Sequence, residues 1–290
     1  MTTDYHHLPR WTSTAGSGPT LRGRHAGDHG PWLHWLSGNG FCGGVYWPML
    51  RGLAADHRLC LHDIEGQGES DAPPHFSGSR AILARVPTVM DDLGLPASGV
   101  IGMGHSYGGA LTLRLADRQP QRFRALVLLD PILLPTPHWL GVKLASALGR
   151  NPIANAARRR RACWPDRAAL QQRLAGRGIY RGWTDDAFHH FVEHASRDSA
   201  EGRVLCCPPA IEAAVFEQPF YPWAAVRRLA VPTLLLYGRD SYPFFPATIR
   251  RVRALAPKVQ VQAMAGGHGF MLEDPAATTT AIARFLTSLD

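Results

Sequence analysis

The chain has 290 residues, 45% of them hydrophobic, with 31 Lys and Arg against 23 Asp and Glu and a formal charge of +8. That length allows one large α/β domain or two of ordinary size, and the apolar content excludes general disorder. The positive charge is almost all arginine, with Lys143 and Lys258 the two lysines. No aromatic-basic interleaving suggests a nucleic-acid platform, and no apolar run is long enough to span a bilayer.

The five cysteines (Cys42, Cys60, Cys163, Cys206 and Cys207) are odd in number and form no C-x-x-C. Free thiols in a reduced setting fit this pattern. Met1 to Gly30 is polar and lacks the apolar core of a signal peptide, so a cytoplasmic location is expected.

Taken in order, Tyr5 to Trp11 and Thr20 to His25 are extended candidates that can open the chain as an antiparallel pair. Pro31 to Leu36 is an apolar strand ending in the Gly-rich loop Ser37-Gly38-Asn39-Gly40-Phe41. Trp47 to Ala55 reads as a helix with Pro48 in its first turn. Arg58 to His62 is a strand, and Arg80 to Leu93 an amphipathic helix that Pro87 should kink or divide. The apolar run Val100 to Met103 then leads into Gly104-His105-Ser106-Tyr107-Gly108. Leu111, Leu113 and Leu115 follow among small residues up to Ala116. Phe123 to Leu129 is a buried strand ending at Asp130-Pro131. From Leu134 to Pro222 the rhythm changes to helical stretches broken by prolines, with no clear strand. The α/β pattern returns with the strand Val231 to Tyr237, a helix at Ala247 to Leu255 and a strand at Val259 to Met264. The loop Gly266-Gly267-His268-Gly269 and a closing helix from Pro275 to Leu289 complete it. Alternating strands and helices at this spacing imply a mainly parallel sheet.

Strand, sharp turn and helix around G-x-S-x-G form the context of a nucleophile elbow, with Ser106 at its tip. A hydrolytic serine needs a base, an acid that orients the base, and donors for an oxyanion. His268, in a glycine loop after the last strand, is the expected base among 14 histidines. The order Ser, acid, His leaves two acids, Asp130 and Asp240, each just past a strand. The neighbouring His105 should point away from the nucleophile. The histidines lack the ligand spacing of a zinc site, and the glycine loops are not phosphate loops, so neither metal nor nucleotide cofactor is expected.

With these residues the chain resembles the α/β-hydrolase superfamily, in its serine hydrolases with a helical cap. Gly104 to Gly109 resembles the family elbow, Asp63 to Ser70 its D-x-R-G-x-G-x-S turn with Glu65 in place of arginine, and Gly266-Gly267-His268 its histidine loop. The resemblance implies an α/β-hydrolase fold with an eight-stranded-type, mainly parallel sheet flanked by helices. The core would comprise residues 1–133 and 223–290, and the inserted helical cap residues 134–222. Asn39-Gly40 stands where His-Gly is usual, which points to the backbone N–H groups of Phe41 and Tyr107 as oxyanion donors, with Asn39 the alternative if the register is shifted. Ser241 occupies the place where many members carry the acid. Others carry it after the strand following the elbow helix, a placement that Asp130, 24 residues beyond Ser106, fits better than Asp240.

The expected activity is cleavage of a small apolar carboxylic ester or lactone by a monomer or homodimer, with no nucleic-acid partner and no integral membrane segment. Alternatives are a carbon–carbon hydrolase of vinylogous diketones, or a ligand-binding member with vestigial turnover. Trp139, Trp164, Trp183 and Phe188 are candidates for an apolar pocket wall. Arg158 to Arg161 reads as a solvated helix face.

Overall fold

Eight strands form one sheet in the computed structural model of the chain, which describes residues 4–289. The strands are β1 (Arg10–Ser13), β2 (Leu21–Ala26), β3 (Trp32–Leu36), β4 (Arg58–Asp63), β5 (Val100–His105), β6 (Phe123–Leu129), β10 (Thr233–Gly238) and β11 (Gln260–Met264). Their spatial order is β1-β2-β4-β3-β5-β6-β10-β11. The β1–β2 and β2–β4 pairs are antiparallel and the rest parallel. The expected opening pair is therefore present, although Tyr5–His7 forms a 3₁₀ turn before it.

Both faces of the central strands are covered, so they read as continuous apolar runs rather than alternating ones. In β6, Ala125, Val127 and Leu129 face one core cluster, while Leu126 and Leu128 face the other. The first cluster also takes in α1 (Trp47–Leu50), α11 (Phe270–Glu273) and α12 (Pro275–Thr287). The second takes in α2 (Ser79–Asp92), α3 (Ser106–Arg118) and α10 (Phe245–Leu255). Pro87 does not divide α2. Ile82, Leu83 and Val86 before it and Val89 and Met90 after it are all buried, and that packing outweighs the hydrogen bond lost at proline.

Between β6 and β10 the chain leaves the sheet. It forms α4 (Thr136–Ala147), α5 (Pro152–Arg158), α6 (Arg167–Leu174), α7 (Asp185–His194) and α8 (Pro209–Glu217), then rejoins through α9 (Trp223–Arg227). This insertion is not all helical. β7 (Cys163–Trp164), β8 (Ser196–Ser199) and β9 (Gly202–Leu205) make a small antiparallel sheet in the order β7-β9-β8. Strands of two to four residues leave too little alternation to be read from sequence. They are held instead by tertiary contacts, as where the buried Arg203 guanidinium donates to the Ser196 hydroxyl at 2.8 Å and the Val192 carbonyl at 2.6 Å.

Candidate active site

Ser106 sits where β5 turns into α3, with φ at +54°. A side chain there is strained, and the surroundings enforce it. The flanking glycines are required by close approach: a Cβ on Gly104 would lie 2.6 Å from the Gly108 backbone, and one on Gly108 would lie 2.1 Å from the Leu36 carbonyl oxygen. Strand and helix can meet at this angle only with hydrogen at both positions.

Strand register brings Asp130 beside Ser106. His105 pairs with Leu129 across β5–β6, so Ser106 and Asp130 leave adjacent strand ends side by side. Asp130 is fully buried and has φ at +41°, the second of the two non-glycine residues with positive φ among those described. Its carboxylate accepts from the Gly238 N–H at 3.0 Å through Oδ1, and from the Ser241 hydroxyl through Oδ2. Oδ2 also lies 2.5 Å from Nδ1 of His268. The other ring nitrogen of His268, Nε2, is 3.0 Å from the Ser106 hydroxyl oxygen. Ser106, His268 and Asp130 thus form one hydrogen-bonded series. Asp240 stands outside it: its side chain is exposed, and its backbone N–H donates to the Gly266 carbonyl at 2.9 Å.

The histidine loop is fastened from two sides. Glu273 accepts the Gly267 N–H at 3.0 Å. His105, which gave no signal in sequence beyond adjacency to the elbow, is buried and has a defined task. Its Nε2 lies 2.9 Å from the His268 carbonyl oxygen and must carry the proton there. Nδ1 then accepts from the Tyr46 hydroxyl at 2.7 Å, whose oxygen in turn receives the Gly38 N–H at 3.3 Å. Burial pushes the His105 imidazole well below its usual pKa and so keeps it neutral. One chain of hydrogen bonds therefore ties the loop after β3, the elbow and the histidine loop together.

Tyr107 stands in the first turn of α3, where backbone N–H groups lack intrahelical acceptors. On the β3 side, Phe41 does not supply the second such group. Its N–H donates to the Gly38 carbonyl at 3.1 Å, closing the turn. Asn39, the alternative register, borders the same cavity as Ser106 and Tyr107. Its side-chain nitrogen donates to the Glu212 carbonyl of α8 at 2.9 Å, so the insertion holds this loop.

The cavity at Ser106 has a volume of about 120 Å³ and is mostly apolar, walled by Ile132, Leu134, Val215, Phe216, Phe220 and Phe244 among others. Trp139, Trp164, Trp183 and Phe188 are not in that wall. Trp164 and Phe188 are buried in the core cluster that joins the insertion to the sheet. Trp183 packs on Phe41, Tyr180 and Phe191, and Trp139 donates its indole N–H to the Pro219 carbonyl at 3.1 Å. Large rings serve the packing of the insertion because they bury the most surface per residue. The Arg158–Arg161 run is likewise not a uniformly solvated face. Arg160 holds the Glu212 carboxylate at 2.7 Å and reaches the Tyr180 hydroxyl at 3.1 Å, while Arg158 pairs with Glu217 at 2.7 Å.

A strained serine on a strand-to-helix turn, reached by a histidine from the far end of the sheet, defines a class of protein. The model of the alpha/beta hydrolase family matches residues 28–281, and the chain belongs to that family. Among its relatives, the (lyso)-N-acylphosphatidylethanolamine lipase of Mus musculus is 25% identical over 276 residues, covering 87% of this chain and 78% of that protein. Among solved structures, E-2-(acetamidomethylene)succinate hydrolase superposes with a TM-score of 0.79 at 21% identity, covering 97% of this chain and all of that one. The thioesterase domain from the curacin biosynthetic pathway gives a TM-score of 0.75 at 19% identity, covering 95% and 99%. Identities at that level speak for the shared fold. Among the described residues no helix is long and apolar enough to cross a membrane, and no group of three or more His, Cys, Asp or Glu is arranged to hold a metal ion.

Proposed function

We propose that this chain is a serine hydrolase that cleaves a carboxylic ester or lactone through Ser106, His268 and Asp130. The observation that carries the reading is the series in which the Ser106 hydroxyl lies 3.0 Å from His268 Nε2 while His268 Nδ1 lies 2.5 Å from Asp130. In this reading His268 takes the serine proton as Oγ attacks the substrate carbonyl. Asp130, dry and held by Gly238 and Ser241, fixes the imidazole tautomer and stabilises the imidazolium that forms. The oxyanion is received by the backbone N–H groups of Tyr107 and Asn39, beside the positive end of α3. Return of the proton to the leaving oxygen releases the alcohol. Water activated by His268 then cleaves the acyl-enzyme.

The apolar wall supports an apolar acyl or alcohol group, with residues 134–222 acting as the cap that encloses it. A relative named as a lipase agrees with an ester substrate. The five cysteines are unbridged, which supports a reduced compartment.

The test is hydrolysis of activated esters of graded acyl length, together with fluorophosphonate labelling. The wild-type chain should turn over and be labelled, and Ser106→Ala should lose both. Retention of full turnover and labelling by that variant overturns the reading.

A further inference from the structure

Helix α4 differs from every other helix of ten or more residues among those described: none of its twelve residues is buried. Its outward face carries Leu140, Leu144 and the capping residue Leu148 at intervals of four, 54%, 64% and 59% exposed. That spacing places them in one stripe. Ile153, 53% exposed at the start of α5, continues the apolar surface. Ile153 also lines the cavity at Ser106, so this apolar surface reaches the rim of that cavity, while Val142, on the opposite side of α4 from the stripe, lines it from within.

The charge carried by this segment of chain is of one sign. From Pro131 to Pro165 there is no Asp or Glu, while Lys143, Arg150, Arg158, Arg159, Arg160 and Arg161 all fall there. Arg158 and Arg160 are paired with α8, while Lys143, Arg150 and Arg159 are exposed around the stripe. Leucines in contact with water beside cations form the pattern of a helix lying in a membrane interface, with its apolar side in the acyl region and its cations at the headgroups. A second copy of the chain fits less well, because it would bring two like-charged surfaces face to face.

We propose that α4 and the start of α5 form a docking face for an anionic phospholipid surface. Seated there, the rim at Ile153 meets the acyl region, and an apolar ester passes from lipid to Ser106 without crossing water. This last step rests on the hydrolase reading; the docking itself does not.

The experiment is co-sedimentation of the full chain with vesicles of phosphatidylcholine alone and of phosphatidylcholine with one third phosphatidylglycerol, at low and high salt. Leu144→Glu and the double variant Leu140→Ser/Leu148→Ser are run alongside. Hydrolysis of a short soluble ester is measured on the same samples. We expect binding to the anionic vesicles only, weakened by salt, and reduced roughly tenfold or more in both variants. Soluble-ester hydrolysis and melting temperature should be unchanged, because these leucines lie on the surface and outside the cavity wall. Wild-type chain that stays in the supernatant, or variants that bind as the wild type does, overturn the proposal. So does a concentration-dependent dimer that Leu144→Glu dissociates, which assigns the face to a second copy. Vesicle binding with no ester hydrolysis by any sample would instead refute the hydrolase reading and leave the docking face standing.

Discussion

The sheet and the insertion hold their residues by different means. In the sheet, Ser106 and Asp130 leave adjacent strand ends whose register is fixed by parallel neighbours and two packed faces, and His268 reaches them from a loop fastened by Glu273 and His105. In the insertion, α4 buries none of its residues, the strands have two to four residues, and ion pairs such as Arg160–Glu212 link the helices. Reactive groups that must meet within hydrogen-bond distance are placed by the rigid region. Within the insertion, α4 is the element with the fewest packed constraints. The two regions share a buried cluster that includes Trp164, Phe188 and Phe191, and at their junction the Glu212 carbonyl holds Asn39.

The sharpest way to break this comparison is at the sheet. Asp130→Asn should lower kcat by roughly 10⁴-fold while the fold is retained, because the amide reverses the tautomer preference of the imidazole. Asp240→Asn should leave turnover within about twofold, since its side chain is exposed and outside the series. If Asp240→Asn alone abolished activity, the strand-end account of the acid would be wrong.

A second prediction concerns pH and rests mainly on the sheet, with His194 of α7, lowered by burial to about 2, acting in the same sense. His34, His62 and His105 lie on β3, β4 and β5, buried and held neutral; burial lowers all three, His62 to about 3. The unfolded chain protonates them near pH 6.5, so the unfolded state binds more protons below that pH. Their contribution is complete above about pH 6.5 and is lost as the pH falls, by about 1.4 kcal/mol per residue per pH unit. Asp63 acts in the opposite sense. Burial raises it to about 7, so its contribution is present at low pH and lost as the pH rises toward 7. Three groups outweigh one, and the melting temperature should fall between pH 6.5 and 5. His34 Nε2 and His62 Nδ1 lie 3.0 Å apart, and replacing the pair by His34→Val/His62→Leu should flatten that slope. An unchanged slope would remove these two residues from the account.

The junction sharpens the comparison further. Arg160→Gln leaves Glu212 without its cation and should lower kcat/KM by roughly tenfold, mostly through kcat if the Asn39 loop shifts. Melting temperature should fall as well, since Glu212 is buried and is left without its cation. A loss confined to KM would mean that Arg160 contacts substrate and does not position the loop. The smallest effect is expected at Trp139→Phe. It removes the hydrogen bond to Pro219 and should lower stability by about 1 kcal/mol with kcat/KM kept within about twofold, read by thermal melting and ester hydrolysis.

The sequence by itself determined the sheet and the position of the serine. Long apolar runs between turn residues mark β3 to β6, and Gly104 and Gly108 declare a turn that only hydrogen at those positions permits. The order of the side chains also narrowed the acid to two. In the structure Asp130 and not Asp240 lies within hydrogen-bond distance of His268, because the two differ in burial and in what reaches them, not in local pattern. The tertiary structure also decided that Asn39 and not Phe41 borders the cavity. That depends on which amide the turn consumes, and a single residue of register leaves no trace in composition. His105 and Tyr46 were invisible for the same reason: each works through partners far along the chain. The insertion was least legible. Its aromatic residues pack as readily against each other as around a ligand, and only the assembled surfaces separate wall from core.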